Sequence, residues 1–197
     1  MPRSESSLSR ALAPLAGTVG TLFIVWTVLV IFVWVNGWGE AQLAENVHNR
    51  DLRAALAGLL NVLDAGWIAI AAVNVYFSLA HAEGLGIARR WTVLVLGAAF
   101  LITGMSAWTR WPLGPVLYSE HFGARIGPVP VAVALLWFVI VVSAREVALR
   151  SLPRAGHTRV AFVAAMLSTL TDANLEPLAW KWRAWWLWYP ANFAAPS

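Results

Sequence analysis

Two carboxylic acids near the C-terminal end of the chain are spaced so that they can act together. The stretch TDANLEPLAWKWRAWW, residues 171–186, places Asp172 and Glu176 four residues apart. Residues at that spacing approach the same face of a helix. Two carboxylates that are close in an apolar environment cannot both ionise easily, which leaves one as an acid and the other as a base. The pattern predicts acid/base catalysis; the alternative is a helix end and an exposed turn with local hydrogen bonds.

A run of tryptophans follows the two acids and includes Trp180 and Trp185. Because Trp is enriched where membrane hydrocarbon meets lipid headgroups, the simplest interpretation of the run is an interfacial belt. Lys181 and Arg183 alternate with the indoles, as cations that reach toward the headgroups do. The alternative is that some indoles form the wall of a site, because the face of an aromatic ring attracts a passing cation.

A third acid, Asp64, lies within an apolar segment, three residues after Asn61. That spacing puts both side chains on one helix face. An acid near the bilayer centre costs about 3 kcal/mol on insertion scales and is by default a candidate functional group. Asp64 is therefore either a functional buried polar residue or a packing contact between helices, in which it is neutral or paired with Asn61.

The composition predicts an integral membrane protein. The chain has 197 residues, of which 59% are hydrophobic and 12% are charged. Its mean hydropathy is +0.65. The share of apolar residues is well above that of an average soluble domain. The formal charge of +4 comes from basic residues scattered singly between apolar runs, which predicts no nucleic-acid partner. Because the chain has no cysteine, disulfides and thiolate ligands are excluded.

The apolar runs predict an all-α fold, a polytopic transmembrane helical bundle of about five spans that forms one domain over residues 15–197. A polar, Ser-rich N-terminal arm, residues 1–14, precedes it. Most of the runs are long enough to cross a hydrocarbon core of about 30 Å, and they cover residues 15–35, 54–80, 91–108, 131–149 and 160–175. Pro177 disfavours helical geometry at Glu176 and so predicts the end of the fifth run.

The segment between the third and fourth runs, residues 109–130, cannot be one helix because it holds four Pro and three Gly. Irregular backbone at membrane depth needs protein or water around it, so such a loop often lines a cavity. We therefore expect this loop to fold against the helices, with Tyr118 pointing inward.

The distribution of Lys and Arg predicts the orientation of the chain. Eight of them lie in the N-terminal arm and in residues 83–90 and 145–159, whereas six lie in the other polar segments. Cytoplasmic loops carry the excess of positive charge. We expect a multi-pass protein of the cell's inner (plasma) membrane with a cytoplasmic N-terminus.

Several cofactor-dependent chemistries lack their sequence signatures. The chain has four His, too few for the short-spaced pairs of membrane di-iron enzymes. The segment EGLGIARR lacks the third glycine of a dinucleotide-binding loop and follows an apolar helix. The sequence contains neither a P-loop nor a G-x-S-x-G motif. These observations predict a reaction without a metal or another cofactor.

Three blocks in the C-terminal half carry a specific pattern: TRWPLGPVLYSEHFGARIGPVP, LLWFVIVVSAREVA and LTDANLEPLAWKWRAWWLWYP. Together they resemble the carotenoid biosynthesis membrane family, a carotenoid 1,2-hydratase-like group that includes bisanhydrobacterioruberin hydratase. The first block is similar to the family's Thr-Gly-x-Pro-Phe-Gly loop, and the third to its Asp-x-x-x-Glu/Asp-Pro block. Arg110 stands where the loop usually has Gly, and Leu113 replaces Phe. Members usually continue into a further membrane helix, so the resemblance predicts that this chain, ending at YPANFAAPS, is truncated or reduced.

The resemblance implies addition of water across the terminal 1,2 double bond of an acyclic carotenoid end group. A carboxylic acid protonates C2, water attacks the tertiary cation at C1, and a carboxylate accepts the proton from the water. Asp172 and Glu176 are the expected catalytic pair, with no cofactor. The partners expected are the carotenoid, the lipid bilayer and other carotenoid-pathway membrane proteins, and the predicted substrate-binding residues are Tyr118, Trp111, Trp137, Trp180 and Trp185.

Two other functions fit parts of the sequence. One is a non-catalytic carotenoid-binding or assembly subunit, in which aromatic grooves hold a pigment and the acids are structural. The other is a small transporter component with Asp64 as the proton or ion site, which the lack of inverted repeats disfavours.

Overall fold

A computed structural model of the chain describes residues 7–37, 40–114, 116–119, 122–183 and 185–188. Within these ranges most residues are helical, and five of the helices are long. This confirms the predicted all-α fold. The helices are α1 (Ser7–Val35), α2 (Glu40–Asn46), α3 (Arg50–Glu83), α4 (Leu85–Thr109), α5 (Val131–Ser151) and α6 (His157–Pro177).

Four helices among the described residues are long and apolar enough to cross a membrane. They are Ala13–Val35 of α1, Val62–Glu83 of α3, and all of α4 and α5. Helix α6 covers the fifth apolar run but is not among the four, because polar side chains such as Thr171, Asp172 and Asn174 lower its hydropathy. Each predicted run is therefore helical, and four of the helices have the apolarity of a span.

Helix α1 begins earlier than the first predicted run. Residues 7–14, which the sequence assigned to a polar arm, are already helical, and Pro14 lies inside the helix. Ala, Leu and Arg, which favour helices, are frequent in this stretch. Residues 1–6 lie outside the described ranges.

The chain divides into two compact units, residues 1–89 and 90–197. In the first unit α1 packs against α3 through the buried side chains of Val30, Val33 and Leu63. The indole Nε1 of Trp26 donates to the carbonyl oxygen of Leu63 at 3.1 Å. Such hydrogen bonds between helices add to van der Waals packing where water is scarce.

Asp64 lies in this first unit and is buried, with 8% of its surface exposed. Its Oδ1 accepts a hydrogen bond from the Nε1 of Trp34, on α1, at 3.1 Å. This geometry fits the prediction of a buried polar contact between helices, with an indole as the partner. The side chain of Asn61 lies outside the described part of the structure.

In the second unit α5 and α6 pack side by side, and two short antiparallel ribbons join the helices. The first ribbon pairs β1 (Val116–Tyr118) with β4 (Trp186–Trp188). The second pairs β2 (Arg125–Ile126) with β3 (Val129–Pro130), and Gly127 takes the positive φ of 58° that this tight turn requires. Pro130 then precedes the first residue of α5.

The sequence predicted an end before Pro177 for helix α6, but the helix continues beyond that point. It includes Pro177 and passes directly into a π-helical turn, Leu178–Trp182. Proline has no amide hydrogen, so the regular ladder of hydrogen bonds is interrupted there. The ladder resumes with a longer step: the Arg183 amide donates to the Leu178 carbonyl, five residues back, at 3.0 Å.

Candidate active site

A small cavity of about 60 Å³ lies in the second unit, where the β1–β4 ribbon meets α4, α5 and α6. A water molecule needs roughly 10–15 Å³ of such space, so the cavity has room for a few waters or a small branched group. We call it the acid cavity. Its lining combines two acids and one phenol with apolar and aromatic side chains: Thr103, Leu113, Val116, Tyr118, Val133, Leu136, Trp137, Ile140, Asp172, Glu176, Trp186 and Trp188.

Both acids of the third sequence block line this cavity. Asp172 and Glu176 lie one helical turn apart near the end of α6 and are partly buried. The other polar side chains of the lining are the Thr103 hydroxyl, which donates to the Ala99 carbonyl, and the Tyr118 phenol. An acid pair beside apolar walls can move protons to and from a bound molecule.

Glu176 is held by two tryptophans that sequence reasoning did not assign to the site. The Nε1 atoms of Trp186 and Trp188 lie 3.2 Å and 3.1 Å from Glu176 Oε2. An indole nitrogen can only donate, so Oε2 accepts both bonds. Two donors on one oxygen fix the orientation of the Glu176 carboxyl group.

The environment favours the protonated form of Asp172. Burial raises the pKa of Asp172 above its ordinary value, and the negative charge of Glu176 raises this pKa further. The same two causes, in the same order, raise the pKa of the Tyr118 phenol to about 12. Tyr118 therefore stays neutral over the whole physiological range.

The β1–β4 ribbon places the aromatic part of the lining. Val116 lies opposite Trp188, and Tyr118 lies opposite Trp186. Successive residues of a strand point to opposite faces, so these four side chains share the face that lines the cavity. The central pair, Leu117 and Leu187, is about half exposed. Because side chains alternate in direction along β1 and β4, one face of the ribbon lines the cavity and the other face presents an apolar surface.

Backbone hydrogen bonds of Trp185, the residue that precedes β4, link this part of the chain to the π-helical turn and to the residue after β1. The Trp185 amide donates to the Ala179 carbonyl at 2.8 Å, and the Ser119 amide donates to the Trp185 carbonyl at 2.9 Å. The Trp185 side chain is buried and makes an edge contact with Phe122, at 5.3 Å between ring centroids. Trp185 therefore supports the ribbon from outside the cavity.

The turn after α4 needs unusual backbone conformations. Arg110 has φ of +64°, and Gly114 has φ of +92°. A Cβ atom on Gly114 would lie 3.7 Å from the Trp188 ring. The Leu113 amide donates to the buried Ser106 hydroxyl at 3.1 Å. This turn places Leu113 in the lining of the cavity and brings the backbone at Gly114 close to the ring of Trp188.

A second, apolar cavity of about 280 Å³ adjoins the acid cavity. The two share Thr103, Leu113 and Trp137 as lining residues. We call it the apolar cleft; it runs along α4 and α5, and small side chains such as Ala98 and Ala99 leave room in it. Ala98 is also exposed, so the cleft opens at the surface of the protein. An extended apolar molecule can therefore lie in the cleft with one end in the acid cavity.

The predicted site residues fall into three groups: those that line the acid cavity, those of the second unit that lie outside it, and those of the first unit. Asp172, Glu176, Tyr118 and Trp137 meet in the acid cavity. Trp111 and Trp180 do not line it: both are exposed, at 68% and 43%, and the Lys181 ammonium lies 5.5 Å from the Trp180 ring centroid. Asp64 belongs to the first unit, and the Asn61 side chain is outside the described residues.

The comparisons with known proteins assign the chain to a family. Four apolar helices indicate a helical membrane protein. The chain belongs to the family of carotenoid biosynthesis proteins, whose model matches residues 59–195. This match confirms the family resemblance drawn from the three sequence blocks. No curated protein and no solved structure matches the chain.

Proposed function

We propose that this carotenoid biosynthesis protein hydrates the terminal 1,2 double bond of an acyclic carotenoid. The observation that carries the proposal is the placement of Asp172 and Glu176 in one small cavity that adjoins the apolar cleft. A hydratase needs a proton donor, a proton acceptor and room for water beside an apolar chain. The two cavities offer these together.

Asp172 is the general acid and Glu176 the general base. The raised pKa of Asp172 favours the carboxylic acid that a proton donor requires, and the two indole bonds hold the Glu176 carboxyl group in a fixed orientation. The Asp172 proton moves to C2 while the π electrons of the double bond form the new C–H bond. Water adds to the cation at C1 and gives a proton to Glu176. Transfer of that proton from Glu176 to Asp172 restores both groups, and the net change is the addition of one water.

The aromatic lining stabilises the intermediate cation. Trp137, Trp186 and Trp188 line the same cavity as the two acids, and the faces of indole rings attract positive charge, worth about 2 kcal/mol where the cation is desolvated. Tyr118 stays neutral and supplies a hydroxyl that can orient the attacking water. The apolar cleft takes the polyene, which dissolves only in the bilayer.

Amide substitutions in a lycopene-producing host test this function. The full chain should convert part of the pigment to a product heavier by one water, measured by chromatography with mass detection. Asp172→Asn and Glu176→Gln preserve shape but remove the proton chemistry, and each should lower the hydration rate at least about a hundredfold. Glu45→Gln, which removes an exposed acid of α2, serves as the control and should retain full rate.

Two results would contradict the proposal. Full hydration by both amide variants would remove the acid pair from the mechanism. A pigment that copurifies with the intact chain but never gains water would instead identify a carotenoid-binding subunit without catalysis.

We further propose that the chain is a multi-pass protein of the inner membrane with its N-terminus in the cytoplasm. The support is the count of eight Lys and Arg in the segments assigned to the cytoplasm against six elsewhere. Reporter fusions at the N-terminus and within residues 36–39 should report opposite sides of the membrane. Activity of both reporters on the same side would contradict this orientation.

A further inference from the structure

A third cavity of the second unit, about 620 Å³ in volume, continues the space that holds the acid pair. It shares Val141 of α5 with the apolar cleft, as the cleft shares Trp137 with the acid cavity. Its volume is in the range of ligand sites, roughly 300–1,000 Å³. We call it the distal cavity because it lies toward the opposite end of α5 from the acid cavity. The three cavities therefore follow one another along the helices.

One ridge of α5 borders the three cavities in turn. Val133 and Trp137 line the acid cavity, Val141 lines the cleft, and Arg145 and Leu149 line the distal cavity. Because each of these residues comes four positions after the one before it, they follow a single ridge that is only slightly inclined to the helix axis. From Val133 to Leu149 the ridge extends about 24 Å along the axis, at 1.5 Å per residue.

Helix α4 borders the same cavities in the opposite order. Trp91 lines the distal cavity, Ala98 lines the cleft, and Thr103 is shared by the cleft and the acid cavity. The contact between Trp91 and Arg145, with 4.8 Å from the ring centroid to the guanidinium carbon, joins the two helices at the distal end. Helices α4 and α5 therefore run antiparallel along one continuous series of cavities.

Helix α6 supplies a wall that also runs from the distal cavity to the acids. Ser168 and Thr169 line the distal cavity, and Asp172, about one turn further on, lines the acid cavity. The hydroxyls of Ser168 and Thr169 donate to the carbonyls of Ala164 and Ala165 at 2.9 Å and 3.0 Å, so their hydrogens are used within the helix. The other side chains of this wall are mostly small and apolar, which suits a hydrocarbon chain.

We propose that the three cavities form one groove that binds the carotenoid lengthwise, with the reacting end in the acid cavity and the more remote part of the polyene in the distal cavity. The inference rests on the proposed function for the identity of its ligand. The groove is about 24 Å long, which is most of a hydrocarbon core of about 30 Å. Ala98 and Ala165 are exposed where they line it, so the polyene can enter sideways from the lipid.

Thiol labelling tests the groove directly, because the sequence has no cysteine. Ala98→Cys places a single thiol in the cleft, and Ala165→Cys places one in the distal cavity. Saturating lycopene should slow the reaction of both thiols with N-ethylmaleimide at least about tenfold in detergent, because access limits thiol reactivity. Met166→Cys, at an exposed position of α6 outside the lining of all three cavities, should change less than about twofold.

The labelling result does not depend on whether water is added to the pigment. Protection of Ala98→Cys without protection of Ala165→Cys would overturn the long groove and leave the proposed hydration standing. Protection of neither thiol would overturn the groove and also count against a carotenoid as the ligand. Equal protection of Met166→Cys would trace the effect to pigment in the micelle and would overturn the inference as well.

A matched pair of larger side chains tests whether the distal cavity contributes to binding. Ala165→Phe places a ring in space that the polyene needs, and should weaken lycopene binding about tenfold. Met166→Phe adds the same ring at the exposed neighbouring position and should change the affinity less than about twofold. Quenching of tryptophan fluorescence during titration with lycopene measures both affinities. Equal affinities of the two variants would overturn the assignment of the distal cavity to the polyene.

Discussion

The indole nitrogen of Trp188 lies 3.1 Å from a carboxylate oxygen of Glu176, twelve residues earlier in the chain. Trp186 donates to the same oxygen at 3.2 Å. The base of the proposed reaction is therefore positioned by a strand that comes after its own helix. Under the proposed mechanism, these two donors orient Glu176 toward the water that it deprotonates.

Trp188→Phe keeps an aromatic ring but removes one donor from Glu176. Hydrogen bonds to charged groups contribute about 1.5–3 kcal/mol, so we expect hydration to slow at least about tenfold. The measurement is the initial rate of product formation in membranes that contain equal amounts of protein. Trp180→Phe makes the same change at an exposed ring outside the cavity and should have the parent rate; an equal loss in both variants would exclude this role for Trp188.

The rate of hydration should depend on pH through Asp172. Because burial and Glu176 raise the pKa of Asp172, its acid form persists above the ordinary range of an aspartate, and the rate should fall as pH rises through this raised pKa. Tyr118 has a pKa of about 12, so Tyr118→Phe should not move the midpoint of the decline. A midpoint that disappears in Tyr118→Phe would assign the titration to the phenol instead.

The same shift in the pKa of Asp172 affects stability. The folded state holds this proton more tightly than the unfolded chain, so the contribution to stability is present below the ordinary pKa of 3.8 and is lost as pH rises through the folded value. Relative to the parent, Asp172→Asn should therefore become more stable as pH increases from acid to neutral. Thermal unfolding in detergent at several pH values measures this difference, and parallel curves for the two proteins would contradict it.

Blocking the apolar cleft should impair use of a long polyene. Ala98 lines the cleft, and a phenyl ring at this position would fill part of its volume of about 280 Å³. Misplacement of a substrate by about 1 Å can cost a hundredfold in rate, so Ala98→Phe should lower both hydration and pigment copurification at least about tenfold. Leu101→Phe alters an exposed position of the same helix and should do neither; unchanged hydration by Ala98→Phe would place the polyene elsewhere.

Arg110 occupies a backbone conformation that suits glycine. Its φ is +64°, where a side chain with a Cβ costs about 1–2 kcal/mol, and the family usually has Gly at this position of the loop. We expect Arg110→Gly to raise the free energy of unfolding by about 1 kcal/mol, after allowance for the greater flexibility of glycine in the unfolded state. Arg110→Ala removes the same charge but keeps the Cβ, and a similar gain in that variant would attribute the effect to charge.

The sequence predicted the parts of the site that depend on local geometry. Asp172 and Glu176 share a helix, so their separation of four residues was enough to bring them to one face. Tyr118 was expected to point inward because its loop is too rich in Pro and Gly to be helical, and it lines the acid cavity. The helical character of all five apolar runs followed from their length and composition.

The non-local parts of the site could not be predicted in the same way. Trp186 and Trp188 reach Glu176 because β4 pairs with β1, and the register of two strands far apart in sequence is not visible in either one. The alternating apolar and aromatic residues of WLW were a possible signal for a strand, but they lie within a Trp-rich stretch that resembles an interfacial belt. For the same reason, the sequence could not show that the Trp180 ring is exposed whereas the Trp185 ring is buried and supports the ribbon.

The pairing of β1 with β4 also has a consequence for biogenesis. Translation proceeds from the N-terminus, so Trp186 and Trp188 leave the ribosome after α4, α5 and α6. Glu176 therefore receives its two indole donors after the helices around it have been synthesised. Under the proposed mechanism, hydration should therefore begin only after β4 has paired with β1 and oriented Glu176.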